Sequence, residues 1–305
     1  MLYQACEPPV VNCVRKPKKP GGYQDSGADI AFALRSKNIC VITPEMEPLP
    51  TQHHGFCFPD TISGILDAIE QGANVLWANT SLFAEHPLQT LTALDQYLEC
   101  VKVVGQPPKL VEQYDDKNYV NDLLRYDGTF SMPRCWIAHS DPKSVLDLST
   151  LPYPVVGKPI RGRGSHGVKL CQSESELSSH LSDLFKESPI AMLEEYLSGQ
   201  EGTVTVMPPS DEHPKYWAMP IIVRFDHKDG IAPYNSIVAV TTNSRLPTLE
   251  EISEDRNYAQ ISEECERIAE LLQVTAPIRV DVRRFEDSSE SRFAAFDVNM
   301  KPVRL

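Results

Sequence analysis

Two segments near the end of the chain, "RVDVRR" at 279–284 and "FAAFDVN" at 293–299, carry charged and amide side chains at every second position. Along an extended strand, side chains alternate between faces, so Arg279, Asp281 and Arg283 share one face and Ile278, Val280 and Val282 the other. The same alternation predicts Ala295, Asp297 and Asn299 on one face of the second segment, opposite Ala294, Phe296 and Val298. The intervening "EDSSES" suits a hairpin turn, and pairing would bring Asp281, Asp297 and Asn299 together with Arg279 beside them. Hard oxygen donors suit Mg²⁺, which keeps few protein ligands and completes its shell with water and phosphate oxygens. An adjacent arginine would stabilise negative charge developing during a reaction. The competing reading is an exposed polar sheet face.

A second stretch, "VVGKPIRGRGSHGVKL" at 155–170, sets glycines among four cations (Lys158, Arg161, Arg163, Lys169) and no acids. "GRGSHG" matches the G-x-G-x-x-G dinucleotide fingerprint, but that fingerprint needs a helix directly after the turn. Here "VKLCQS" has strand character, and a capped helix begins only near Ser173, so a strand, loop, strand hairpin is expected. The Walker A order fails because Lys158 precedes the glycines. A kinase would also need H-R-D and D-F-G motifs, and neither is present. Glycines let backbone N–H groups approach phosphate oxygens, and a hairpin tip can fold down as a cover. A solvated surface hairpin is the alternative. A third stretch, "LEEYLSGQEGTVTV" at 193–206, places Glu194 and Glu201 on either side of a turn. One carboxylate or backbone carbonyl there could accept from an adenine amino group, and another could accept both ribose hydroxyls.

The elements that must position these residues follow from periodicity. Residues 1–28, with "RKPKKPGG", read as an irregular arm with no helix before Gly27. "NICVITP" at 38–44 and "NVLWAN" at 74–79 read as strands. "DTISGILDAIEQGA" reads as a helix with Asp60 as N-cap and Gly72 as its stop, and "LQTLTALDQYLE" as a second helix on Leu88, Leu91, Leu94 and Leu98. Alternating strands and helices predict an open α/β domain over 1–112. A helix on Tyr119, Val120, Leu123 and Leu124, strands at "MPRCWIA" and around the glycine loop, and a Ser173–Glu176 capping box describe a central domain over 113–192. β-branched runs dominate a third domain over 193–305, with "NSIVAVTT" as a strand, "ISEECERIAELL" as its helix and "PTLEEISEDR" at 247–256 as a solvated loop.

The chain has 305 residues, 29 basic and 42 acidic side chains and a net charge of −13, which disfavours nucleic acid as a partner. No apolar stretch approaches the roughly 20 residues of a membrane span. Eight scattered cysteines without C-x-x-C pairs, and no apolar core of a signal peptide, predict reduced thiols in the cytoplasm. "QHHG" at 52–55 reads as loop histidine rather than a metal site.

Taken together, "PVVGKP" with "GSHGV", "LEEYLSGQEGTV", and "RVDV" with "FDVNMKP" resemble the ATP-grasp superfamily, and most closely its D-alanine–D-alanine ligase branch, over about 115–302. The resemblance implies an N-terminal open α/β domain, a central lid domain and a C-terminal, mainly antiparallel catalytic domain. It implies that Lys117 of "DDK" and Lys158 bind nucleotide phosphates, with Ser165, His166 and Gly167 in the covering loop. Glu194 and the backbone near Tyr196 and Leu197 would hold adenine and Glu201 the ribose. Asp281, Asp297 and Asn299 would bind Mg²⁺, with Mn²⁺ as a substitute, and Arg279 would face the transition state. The implied activity is an ADP-forming ligase joining a carboxylate, such as an amino acid, to an amine through an acyl phosphate, and similar ligases are commonly homodimers. The family usually has glutamate where Asp297 stands, and its donor-binding glutamate motif is not recognisable here. The sequence also ends six residues after Asn299, where relatives continue with part of the acceptor pocket. These departures keep two alternatives in view, a noncatalytic ATP-binding protein with a shortened acceptor site and a carboxylate–thiol ligase.

Overall fold

Short parallel strands build the first of two compact units, Met1–Val10 with Arg15–Gln113 and Lys301. The computed structural model describes residues 1–301 apart from 12, 13, 17, 50, 142, 145, 163, 228 and 233–242. The strands and helices here run β1 (Leu2–Tyr3), β2 (Val10–Val11), β3 (Val14–Arg15), α1 (Gln24–Ser36), β4 (Phe58–Pro59), α2 (Ile62–Glu70), β5 (Val75–Asn79), α3 (Pro87–Thr90), β6 (Lys102–Val104) and α4 (Pro108–Tyr114). The main sheet has the order β4-β1-β5-β6 with all neighbours parallel, while β2 and β3 pair only with each other. Leu2, Phe58, Ile65, Ala68 and Leu76 form the core beneath α2.

Several local expectations change in this unit. The N-terminal segment supplies the central strand β1, and α1 starts at Gln24, running through Gly27. A β-carbon at Gly27 would stand 2.4 Å from Cys57 Sγ, so glycine there is what lets the helix pack. Residues 39–43 form neither strand nor helix, and the Arg35 guanidinium bonds Val41 O and Thr43 Oγ1. The second leucine helix breaks into α3 and a 3-10 turn over Thr92–Tyr97, because Leu91 takes an extended conformation between them. Leu88, Leu91 and Leu94 still reach the core.

Asp60 is not the cap of α2; Thr61 is, accepting from Gly64 N. Asp60 instead ties strand ends together. Its carboxylate accepts from Ala5 N at 2.8 Å, Cys6 N at 2.7 Å, the Thr80 hydroxyl, and His86 Nε2 at 3.1 Å. Burial pushes its pKa up, but the bonds from His86, Thr80 and the Cys6 amide outweigh burial and hold it at about 2. A depressed carboxyl stabilises the fold above its ordinary pKa near 4 and loses that contribution as pH falls through 2. Asp60→Asn is therefore expected to cost about 2–3 kcal/mol near neutrality and to narrow its deficit against wild type below pH 4. Thermal unfolding of both proteins from pH 7 to pH 2 checks this; parallel curves reject it.

The second unit comprises Val11–Val14 and Tyr114–Met300. Its first part contains α5 (Lys117–Asp127), β7 (Cys135–His139), β8 (Val155–Pro159), β9 (Lys169–Cys171), α6 (Glu174–Leu184) and β10 (Ile190–Glu195). The antiparallel order β7-β10-β8-β9 buries Val155, Cys171, Ala191 and Leu193 against Leu177, Leu181 and Leu184 of α6. β8 and β9 pair from Val155↔Cys171 to Gly157↔Lys169, so the glycine stretch joins two strands and has no helix behind it. The dinucleotide fingerprint is thereby excluded. Ser173 caps α6 by accepting from Glu176 N, but Glu176 answers to Gln172 N rather than closing the full box.

Next follow β11 (Glu201–Met207), β12 (Trp217–Ala218), β13 (Ile222–Arg224), β14 (Ser244–Arg245), α7 (Leu249–Glu254), α8 (Asn257–Leu271), β15 (Ile278–Arg284) and β16 (Phe293–Asn299). They form an antiparallel sheet in the order β14-β13-β11-β15-β16, with β12 on β11. Ile261, Cys265, Ile268 and Leu272 give α8 its buried stripe. The acidic "PTLEEISEDR" segment is not a loop, because Thr248 and Glu251 close a reciprocal capping box that starts α7. The expected strand "NSIVAVTT" lies outside the described residues. Among the described residues no helix is long and apolar enough to cross a membrane.

Candidate active site

The carboxylates at the end of the chain meet because β15 and β16 pair with Asp281 opposite Asp297 and Arg279 opposite Asn299. The register then slips, with Val282 opposite Ala295, so Phe296 is an extra residue. This bulge corrects the simple alternation: Ala294, not Ala295, lies across from Arg283. The whole of β15 is buried on both faces, with Arg279, Asp281 and Arg283 each 8% exposed, which removes the reading of an exposed polar sheet face.

The buried charges are paired closely. Arg279 grips Asp281 with two bonds, Nε to Oδ1 at 2.9 Å and Nη2 to Oδ2 at 3.0 Å. Thr203 of β11 also donates to Asp281 Oδ1 at 2.8 Å, and Asn299 Nδ2 donates to Asp281 Oδ2 at 3.1 Å and Asp297 Oδ2 at 3.4 Å. Lys117, the first residue of α5, reaches Asp297 Oδ1 at 2.5 Å. Burial raises the Asp297 carboxyl, but Lys117, Lys158 and Arg279 together outweigh it and hold it at about 2. For Lys117, burial favours the neutral amine, and the Asp297 charge more than reverses that, leaving the ammonium above its ordinary range. Two carboxylates and an amide oxygen donor on adjacent strands are a hard-oxygen set that fits a divalent cation such as Mg²⁺.

Lys158 belongs to β8 and is held from two sides. Its ammonium lies 2.5 Å from Glu194 Oε2 of β10, with both side chains less than 7% exposed, and it donates to Phe296 O at 3.2 Å. The second oxygen of Glu194 accepts from Asn121 Nδ2 of α5 at 3.0 Å. The residue added by the bulge thus supplies the carbonyl that meets Lys158.

The glycine loop is less cationic in space than in sequence. Lys158 is neutralised by Glu194, and Arg161 sits 3.8 Å from Asp115 and 3.6 Å from Asp116. Its base is tied to α5 by Lys117 N donating to Ile160 O at 3.0 Å. Gly164, Ser165 and Gly167 have φ of +61°, +58° and +68°, a left-handed backbone at which glycine is unstrained and serine is not. Ser165 Oγ donates to Ala232 O at 3.4 Å, whereas His166 is exposed and pairs with Glu187 at 2.9 Å. Beyond β10, Leu197 is buried, and Tyr196 and Glu201 share a network with His227 and Arg283. Asn121, Thr203, His227 and Arg283 were not singled out from the sequence. Of these, Arg283 alone left a trace there, as a polar position in the alternation of its strand.

A lysine strand and glycine hairpin on one antiparallel sheet, with a carboxylate pair on another, define an ATP-grasp fold. The chain resembles the solved D-alanine–D-alanine ligase of Bacillus anthracis with a TM-score of 0.61, at 17% identity, over 99% of this chain and 85% of that one. The same enzyme complexed with ATP aligns at 0.57 and 18% identity, covering 93% and 84%. The VanG D-Ala:D-Ser ligase of Enterococcus faecalis aligns at 0.51 and 19%, covering 69% and 59%. The family profile described as D-ala D-ala ligase C-terminus matches residues 136–302, more than half of the chain. The chain belongs to that family. Among curated relatives, D-alanine–D-alanine ligase A of Bacillus cereus is 30% identical over 92 residues, 30% of this chain and 31% of the relative. A D-alanine–D-alanine ligase of Bacillus anthracis is 31% identical over 91 residues, 30% of each chain. The matched stretch therefore spans just under a third of these relatives' length.

Proposed function

We propose that the protein is an ADP-forming ligase that joins the carboxylate of an amino acid, or a similar small acid, to an amine. The observation that carries this reading is the convergence of Lys117, Lys158, Arg279, Asp281, Asp297 and Asn299 on one buried polar region. Membership in the ligase family supports it, and the relatives' names point to amino acids as the reacting pair. Lys117 and Lys158 bind the nucleotide phosphates, and the backbone of Ser165, His166 and Gly167 covers them. Glu194 and the backbone at Tyr196 and Leu197 face the adenine, and Glu201 takes the ribose hydroxyls. Asp281, Asp297 and Asn299 would hold Mg²⁺ or Mn²⁺, which when bound supplies charge neutralisation between the phosphates.

In the first step an oxygen of the acid attacks the γ-phosphorus, the bond to the bridging oxygen breaks, and ADP leaves with that electron pair. In the second step the neutral amine adds to the acyl phosphate carbon, and the tetrahedral centre collapses with loss of phosphate and a proton. Arg279, fixed by Asp281, is assigned to the oxyanion of that centre. Positioning and charge compensation carry the acceleration, with no covalent protein nucleophile.

A phosphate-release screen over pairs of amino acids with magnesium and ATP, followed by mass measurement of condensed products, tests the reading. Release that needs both an acid and an amine is expected. Saturable ATP binding without release across a broad panel overturns the ligase in favour of a nucleotide-binding protein, and release that needs coenzyme A in place of the amine indicates a thiol ligase.

A further inference from the structure

Arg283 stands two residues beyond Asp281 on β15, with its side chain 9% exposed. Its guanidinium reaches four partners. Nε donates to Gly199 O at 3.0 Å, Nη1 to Gly230 O at 2.7 Å, and Nη2 to Tyr196 OH at 3.0 Å. Nη1 also lies 3.5 Å from Glu201 Oε2, and the guanidinium carbon stands 4.9 Å from the centre of the Tyr196 ring. The same Glu201 oxygen takes His227 Nε2 at 2.9 Å, while no hydrogen bond from a described residue reaches Oε1. Glu201 faces Arg283 directly in the β11–β15 register and Arg224 in the β11–β13 register.

A planar guanidinium with donors on three edges can fix several acceptors at once, which an ammonium cannot. Here the acceptors all belong to the crossing from β10 to β11 and to the loop after β13. Among them, the Tyr196 segment and the Glu201 carboxylate are what the proposed function places at the nucleoside. With Oε2 engaged by two donors, Glu201 is kept from rotating and presents Oε1 as its remaining acceptor.

We propose that Arg283 is a positioning residue for the nucleoside, locking the Glu201 carboxylate in the plane that receives ribose hydroxyls and bracing the Tyr196 ring beside the base. This rests on the nucleotide reading above. It assigns to this chain a device for reading the ribose that acts through Glu201 rather than by direct contact.

Equilibrium binding of ATP and 2′-deoxy-ATP, with magnesium, to full-length wild type, Glu201→Gln, Arg283→Gln, Arg283→Lys and Tyr196→Phe tests it by calorimetry. Wild type should prefer ATP about tenfold, the scale of one hydrogen bond to a charged acceptor. Glu201→Gln and both Arg283 variants should shrink that preference to about twofold or less, and the Arg283→Gln/Glu201→Gln double variant should lose no more than either single one. A merely structural arginine would weaken both nucleotides equally and leave the ratio intact, and that result overturns the inference. Should the Arg283 variants fail to fold, Tyr196→Phe keeps the question open to decision, because it removes only one Arg283 acceptor: a ratio reduced to about threefold supports the inference, and an unchanged ratio rejects it. Wild type binding both nucleotides equally rejects the role of Glu201 and this inference while ATP binding stands. Wild type binding neither removes the nucleotide reading itself.

Discussion

On the proposed function, Asp297→Asn is expected to lower magnesium-dependent ADP release on the order of 10²- to 10³-fold while the protein still unfolds cooperatively. The substitution keeps shape and removes one charge from a region where Lys117, Lys158 and Arg279 all bear on that carboxylate. A divalent cation would then have Asp281 as the one carboxylate of the set, and Arg279 and Thr203 already draw on that group. Asparagine is the more informative replacement, because alanine would also strip the Lys117 ammonium of its 2.5 Å partner and mix a stability loss with the catalytic one. The pH dependence separates the two. The Asp297 carboxyl is held at about 2, so its contribution to stability is present above its ordinary pKa near 4 and disappears as pH falls through 2. At neutral pH the aspartate is ionised, and the turnover deficit of the variant should therefore be flat from pH 6 to pH 9. ADP release by a coupled assay, with magnesium titrated at each pH, provides the check; turnover equal to wild type at saturating magnesium rejects the metal assignment.

How much of this was readable beforehand depended on whether local pattern and tertiary partner agreed. The glycine hairpin was legible because "VKLCQS" could not be a helix start, and β8 and β9 pair as that implies. The facing of Asp281 and Asp297 followed from alternation on two strands joined by a turn. The bulge at Phe296 did not, since one extra residue leaves no compositional mark and shows only when two strands are set in register. The loop's positive charge was misleading for a related reason. Lys158 and Arg161 are compensated by Glu194, Asp115 and Asp116, which lie at least 36 residues away from their partners in sequence. In the N-terminal unit, β1 has two residues and is defined by parallel partners at Phe58 and Ala78, a signal too short for periodicity. Asp60 looked like a helix cap because a cap and a buried strand-end clasp use the same side chain one residue apart.

Lys158→Met is expected to destabilise the second unit by about 3–5 kcal/mol, because it leaves Glu194 charged and buried without its counter-ion. Glu194 is 3% exposed, and Asn121 would be its one remaining hydrogen-bond donor among those described. A surface lysine would show no such cost, so a large drop in the midpoint of urea unfolding is itself a test of the burial. The functional loss must be separated from this penalty, and a second substitution does so. In Lys158→Met/Glu194→Gln the unpaired charge is gone, and most of the stability should return. On the proposed function ATP affinity should not return, since the ammonium assigned to the phosphates is still missing and Glu194, assigned to the adenine, is replaced. If the double variant recovers both stability and affinity, Lys158 serves the fold alone and phosphate binding rests with Lys117. If it recovers neither, the Glu194 charge is not what made the single variant unstable, and the bond from Lys158 to the Phe296 carbonyl at the bulge becomes the contact that holds β8 against β16.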